Sequence, residues 1–298
     1  MYRLDLIFGE FRVALMQASG LAVAFCAALV FGPIESRAAD ARLPAAQATG
    51  PLAVPNMAET DGWIITIDLD VAAAPSYPGD ATRTTQVVPS FSIRRAGTPA
   101  GFSAPDDGVD FALYDAGWLN AGVVGKLVSA RSSSGNPELR GLRFIDATIE
   151  GGVFAEIWPM EQLRTRAEIR QGLFGHEGLV ASLGADWVEK SGAFTLSVGP
   201  RLNLGAATYM RSFFSVSPTE AVVNGRVKAF TAHGGISSIG ALAAVAYEFS
   251  PAWSGTIYAG YDRLAGSAAR SPVSRVLGSR NQFTLGTVIS RSFLFKGL

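Results

Sequence analysis

Apolar and polar residues alternate with a period of two along most of the chain. In GAFTLSVGPRLNLGA, Phe194, Leu196, Val198, Leu202 and Leu204 fall on one face, and Thr195, Ser197, Gly199, Arg201 and Asn203 on the other. WSGTIYAGYDRL sets Trp253, Ile257, Ala259 and Tyr261 against Ser254, Thr256, Tyr258 and Asp262. NQFTLGTVISRSFLF sets Phe283, Leu285, Ile289, Phe293 and Phe295 against Gln282, Thr284, Gly286, Ser290 and Ser292. Successive side chains of a strand point to opposite faces, so each segment predicts a strand with one apolar and one polar face.

About a dozen such segments occur, starting near residues 62, 84, 109, 118, 143, 161, 178, 192, 207, 235, 253 and 281. Many run to roughly ten residues, the length a tilted strand needs to cross a bilayer, whereas globular strands average five or six. Turn signals such as Ser133–Pro137, Lys190–Gly192 and Ser250–Pro251 separate them. Trp63, Trp118, Trp158, Trp187, Trp253 and Phe293 lie near segment ends, where interfacial aromatics belong. After Tyr209 the pattern weakens into one short strand and an extended loop.

Alternation alone fits a soluble sandwich with its apolar face inward, or a membrane barrel with its apolar face outward. Charge placement separates them. Arg164, Arg166, Glu168 and Arg170 share one face of LRTRAEIRQG; Asp146, Glu150 and Glu156 share one face of the preceding segment. Joined near Pro159–Met160, the two would form a hairpin whose cross-strand Glu–Arg pairs line an interior. The expected fold is therefore all-β: an antiparallel transmembrane barrel of about 12 strands (10–14), apolar outside and polar inside. Asp68, Asp70 and Arg201 join the other seven residues as candidates for a lumen charge network. Asp68 and Asp70 either pair with lumen arginines or bind cations and set selectivity.

Composition narrows the function. Acidic and basic residues balance at 25 each, so no global field favours nucleic acid. Charged residues make up only 17%, with 33 glycines. The first forty residues depart from the period. Arg3 and Arg12 precede an apolar run from Leu21 to Phe31, followed by Ser36-Arg37-Ala38. This reads as a secretory signal over 1–38, too short in its apolar core for a span, with Met1 and Met16 both open as start. Ala- and Pro-rich residues 39–61 read as a periplasmic lead-in, and 62–298 as the barrel. Cys26 lies in the signal, leaving the mature chain without cysteine.

Catalytic chemistry finds little footing. His176-Glu177 lacks the second histidine of a zinc-protease helix, and the only other histidine is His233. No catalytic, cofactor or metal residue is expected. His176 acting as base toward Ser182, with Asp186 nearby, is the weaker alternative of a lipid hydrolase. The structural reading of Phe174–Gly178 is a tight hairpin end whose glycines supply positive φ.

AEIRQGLFGHEGLVASLGADW, LSVGPRLNLGAATYMRSFFSVSP and SPVSRVLGSRNQFTLGTVISRSF, with APSYPGD as a first hairpin turn, resemble the MipA/OmpV family of Gram-negative outer-membrane proteins, the MltA-interacting proteins. The resemblance covers roughly residues 62–295. It implies an outer-membrane barrel, non-enzymatic, that scaffolds murein-remodelling enzymes: a lytic transglycosylase and a bifunctional murein synthase. Outer-membrane lipid is the other expected partner. The alternative is a narrow channel or solute-binding barrel affecting permeability. The family carries no catalytic residues over to this chain. Such proteins commonly end on an aromatic; here three residues follow Phe295.

Overall fold

The computed structural model describes residues 61–296. The signal and all but the last residue of the lead-in lie outside them. Eleven strands form one sheet: β1 (Trp63–Ala74), β2 (Thr84–Arg95), β3 (Val109–Asp115), β4 (Leu119–Val128), β5 (Thr148–Met160), β6 (Leu163–Gly172), β7 (Leu179–Ser191), β8 (Phe194–Gly205), β9 (Gly235–Ser250), β10 (Trp253–Leu264) and β11 (Asn281–Phe295). The number falls inside the expected range. β1 pairs with β11 as well as β2, so the sheet rolls up and leaves only β2 and β3 as edges.

The burial pattern is inverted relative to a soluble protein. Along β6, Arg164, Arg166, Glu168 and Arg170 are buried while Ile169 is 51% exposed. On β8, Leu196 and Val198 face outward and Ser197 and Arg201 inward. An apolar exterior around a charged interior is the arrangement a hydrocarbon solvent selects.

All ten pairings around the sheet are antiparallel. An even number of reversals separates β2 from β3, so the two edges run in the same direction and no ladder joins them. The connection between them, residues 96–108, must therefore travel back along the barrel. It does so inside the lumen. Pro99 and Pro105 cannot donate to a ladder, which suits this segment poorly for the wall.

Connections alternate in length. One end carries the short turns 116–118, 161–162, 192–193 and 251–252. The other carries 75–83, 129–147, 173–178, 206–234 and 265–280. Outer-membrane barrels turn their short connections to the periplasm. All five tryptophans lie toward that end: Trp63 and Trp253 open strands, Trp118 is in a short turn, Trp158 is two residues from the end of β5, and Trp187 pairs with Leu163 at the start of β6.

The long connections build an apolar core over the opposite mouth. Tyr77, Leu139, Ile145, Met210, Phe213, Phe214, Val216, Leu264, Val273 and Leu277 are buried together there. The segment expected as a strand near residue 207 is instead helix α1 (Ala207–Phe214), followed by α2 (Pro218–Asn224). Met210, Phe213 and Phe214 repeat as i, i+3, i+4, a helical spacing that places all three in the core. The short α3 (Gly266–Arg270) lies on the last long connection.

Candidate functional site: the charged lumen

β6 carries four charges on its inner face at alternate positions; acids on its neighbours answer the three arginines, and Glu168 is answered by Arg166 and Arg170 on β6 itself. Glu156 on β5 pairs with Arg166 in register, and Asp186 on β7 lies opposite Arg164. Near the long-connection end, His176 Nε2 lies 2.9 Å from Glu150 Oε1. Arg170 Nε donates to Glu150 at 2.8 Å, and its Nη1 donates to Glu168. Arg166 Nε donates to Glu168 at 2.8 Å and Nη1 to Glu156 at 3.3 Å. Arg164 donates to Glu156 at 2.8 Å and Asp186 at 3.1 Å, and Arg201 donates to Asp186 at 2.8 Å. The result is one continuous ladder of charge-assisted hydrogen bonds down the lumen.

The luminal segment closes onto this ladder. Asp107 accepts from Arg164 Nη2 at 2.5 Å, and Asp106 accepts from Arg201 Nε at 2.7 Å. Lys126 Nζ donates to the Asp106 carbonyl at 2.7 Å. Asp110, at the start of β3, lies 2.6 Å from Arg166 Nη2. On the other side Ala104 packs with Ala72, Leu242, Ala244 and Tyr258, with Phe102 against them. Phe102 also meets Trp158 edge-on at 6.2 Å, and Arg164 lies over its ring. Residues 96–108 thus bridge opposite walls of the barrel.

Of the ten sequence candidates, seven meet in this ladder: Glu150, Glu156, Arg164, Arg166, Glu168, Arg170 and Arg201. Asp70 lies elsewhere and accepts from the Tyr258 hydroxyl at 2.9 Å. Asp68 is half-buried on the inner face of β1, opposite Ser290 and Ser90. Asp146 is exposed in the 129–147 connection, because β5 begins only at Thr148. Six further charged or basic groups meet here outside the candidate set: His176 and Asp186, weighed above only for catalysis, and Asp106, Asp107, Asp110 and Lys126. Asp106 and Asp107 stand among prolines and glycines with no alternation to mark a face. Asp110 shares β3 only with Asp115, five residues on, and Lys126 is the one charge of β4, so neither repeats on an alternating face.

The β6–β7 connection is a turn, as its glycines suggest, but its conformation differs from the expected one. Gly175 (φ 68°) and Glu177 (φ 46°) take positive φ. Gly178 does not; it is there for close approach, since a Cβ would lie 2.4 Å from the Tyr209 nitrogen. His176 is 1% exposed, wedged against Tyr209 and Phe213. Nδ1 accepts from the Gly178 N–H at 3.1 Å and Nε2 faces Glu150, so both ring nitrogens are engaged. Ser182 is held by Arg170 at 3.2 Å. This geometry offers no free base for nucleophilic catalysis.

Comparison with known proteins places residues 69–293 in a family described as "MltA-interacting protein MipA". No curated protein matches the chain. Among solved structures, an outer-membrane channel from Pseudomonas putida F1 is 11% identical, over 82% of this chain and 100% of that one, with a TM-score of 0.40. The CymD monoaromatic hydrocarbon channel is 10% identical over 82% and 92% (TM-score 0.34). Neisserial surface protein A is 11% identical over 78% and 97% (TM-score 0.27). Those values add nothing to the topology that the strand pairings already define.

Proposed function

The chain belongs to the MltA-interacting protein MipA family, and on that premise we propose that it is a plugged outer-membrane barrel serving as a periplasm-facing adaptor for murein-remodelling enzymes. The observation that supports this is the lumen. It is crossed by residues 96–108, which are tied to the wall by Asp106, Asp107 and the β6 arginines, and its outer mouth is covered by an apolar core. Side chains, rather than solvent, occupy the space an open pore would need: Arg164 is 1% and Glu168 5% exposed. The parts left to meet other proteins are the four short turns and the lead-in. The family description names MltA, and the proposed partners are accordingly a lytic transglycosylase and, with it, a bifunctional murein synthase. The family, the barrel and the buried, fully engaged His176 favour a non-enzymatic role.

Crosslinked envelopes carrying the tagged full chain test the proposal. A murein hydrolase or synthase should co-purify, and should be lost when the turns Gly117–Trp118 and Glu161–Gln162 are replaced by Asn-Gly. Recovery of no murein enzyme above an unrelated barrel control refutes it.

A second reading, a gated channel, rests on one specific observation. The luminal segment is held by noncovalent contacts only, and beside it the inner faces of β1, β2 and β11 carry half-buried Asp68, Ser90 and Ser290. Steady conductance of wild-type protein in planar bilayers would favour this reading over the adaptor.

A further inference from the structure

From Arg263 to the end of the sequence there is no aspartate or glutamate, while Arg263, Arg270, Arg275 and Arg280 fall in or beside one connection. All four are exposed, as is Arg83 on the neighbouring β1–β2 turn. The fold gathers them on one sector of the long-connection rim. Arg263 pairs with Asn281, and the Leu264 N–H donates to the Arg280 carbonyl at 2.8 Å, so Arg263 and Arg280 are adjacent. Arg83 lies over the Phe283 ring, 5.8 Å from its centroid.

None of these five arginines takes part in an ion pair among the described residues. The nearest acids face away. Asp80 is buried and accepts from Ser76 and Thr82; Asp262 points inward to Ser238. The opposite sector of the same rim carries acids among its cations: Arg226 pairs with Glu138, and Glu220 accepts from the Arg143 backbone N–H at 2.7 Å. The sector of Arg83, Arg263, Arg270, Arg275 and Arg280 therefore carries the larger excess of positive charge.

Its position says what it faces. Directly below, on the outer wall, the Tyr261 and Phe283 rings meet at 4.8 Å, tilted by 41°, and Leu285, Ile257 and Ile289 continue the lipid-facing surface. An aromatic pair at the wall's edge marks the interface, and guanidiniums just above it stand at headgroup height. Guanidinium groups bind phosphate bidentately, and basic clusters at this height recognise anionic lipid headgroups. We propose that Arg83, Arg263 and Arg280, supported by Arg270 and Arg275, form a binding site for the phosphate groups of a glycolipid in the outer leaflet, so that the barrel is oriented and held by anionic lipid on one side. This reading is independent of the adaptor role.

Native mass spectrometry of the full-length barrel in detergent tests it. The probes are bisphosphorylated lipid A, dephosphorylated lipid A and inorganic phosphate. The variants are Arg83→Ala/Arg263→Ala/Arg280→Ala and, as a control on the opposite sector, Arg140→Ala/Lys228→Ala, each first shown folded by heat-modifiable gel migration. Wild type and control should retain bisphosphorylated lipid A. The triple variant should bind it on the order of a hundredfold more weakly, at about fivefold per arginine. Equal binding by the triple variant, equal loss in the control, or equal binding of dephosphorylated lipid overturns the site. Displacement of the lipid by millimolar inorganic phosphate would show a free-phosphate site and overturn the lipid assignment. Should the triple variant fail to fold, Arg263→Ala alone, at about fivefold, decides.

Discussion

Replacing Arg164 with alanine should be among the most damaging single substitutions in the wall. Arg164 is 1% exposed and touches three carboxylates: Asp107 at 2.5 Å, Glu156 at 2.8 Å and Asp186 at 3.1 Å. At an effective dielectric of ~20, one unit pair 4 Å apart is worth about 4 kcal/mol before desolvation is counted. Most of that offsets the cost of burying the charges, so the intact network is a modest net stabiliser. Removing one partner is different. The desolvation of three carboxylates stays while their shared cation is gone, and breaking a buried pair typically costs about 3–5 kcal/mol. The alanine also empties the volume of the guanidinium that covers Phe102, loosening the luminal segment. The assay is equilibrium urea unfolding in lipid vesicles, followed by tryptophan fluorescence and heat-modifiable migration. Arg164→Ala should lose roughly 3–5 kcal/mol, whereas the exposed Arg140→Ala should stay within about 0.5 kcal/mol. A loss under about 1 kcal/mol for Arg164→Ala would mean that water screens the ladder. The lumen would then not be filled as described.

Other outcomes follow from the same structure. Asp106→Asn with Asp107→Asn removes the carboxylates that bind residues 96–108 to Arg201 and Arg164, and should produce intermittent conductance in planar bilayers where wild type is silent; silence in both would place the anchorage in Phe102 and Ala104. Phe213→Ala empties the centre of the mouth-covering core and should cost about 3–5 kcal/mol, with faster protease cleavage of the long connections. Gly199→Val should prevent folding, because a Cβ there would lie 1.6 Å from the Ala185 carbonyl oxygen, while Gly135→Ala, with nothing within 4 Å, should migrate as wild type. Burial alone would raise the Glu220 carboxyl, but the backbone N–H groups of Ser217 and Arg143 hold it below its ordinary 4.5. A depressed value stabilises α2 fully above about pH 4.5 and loses that effect as pH falls through the folded value, so the protection factors of the α2 amides, referred to intrinsic exchange at each pH, should fall in acid, and Glu220→Gln should remove that fall.

Much of the barrel was legible in the chain because its solvent is inverted. Hydrocarbon outside and buried charge inside impose a strict period of two over strands longer than globular ones, and Arg164, Arg166, Glu168 and Arg170 show it without interruption. The hairpin to β5 was equally visible, since Glu156 and Arg166 answer one another across a two-residue turn. The segment after Gly205 reads as a strand in the sequence because Phe213-Phe214 suits either period over a few residues; only the packing of Met210, Phe213 and Phe214 beneath the other connections selects the helix. The glycines around His176 mark a turn in the sequence, but its burial against Tyr209 joins residues far apart in the chain.

What the sequence determined by itself is the wall: strand faces, approximate strand boundaries, and which charges point inward. How that wall is closed and filled depends on contacts between distant segments. Whether residues 96–108 stand in the barrel or cross it depends on Arg164 and Arg201, contributed by strands 57 and 95 residues away. That choice makes the strand number odd and β2 and β3 parallel. Alternation is a local consequence of strand geometry; plugging is a long-range match between two carboxylates and two buried arginines, and no local period encodes it.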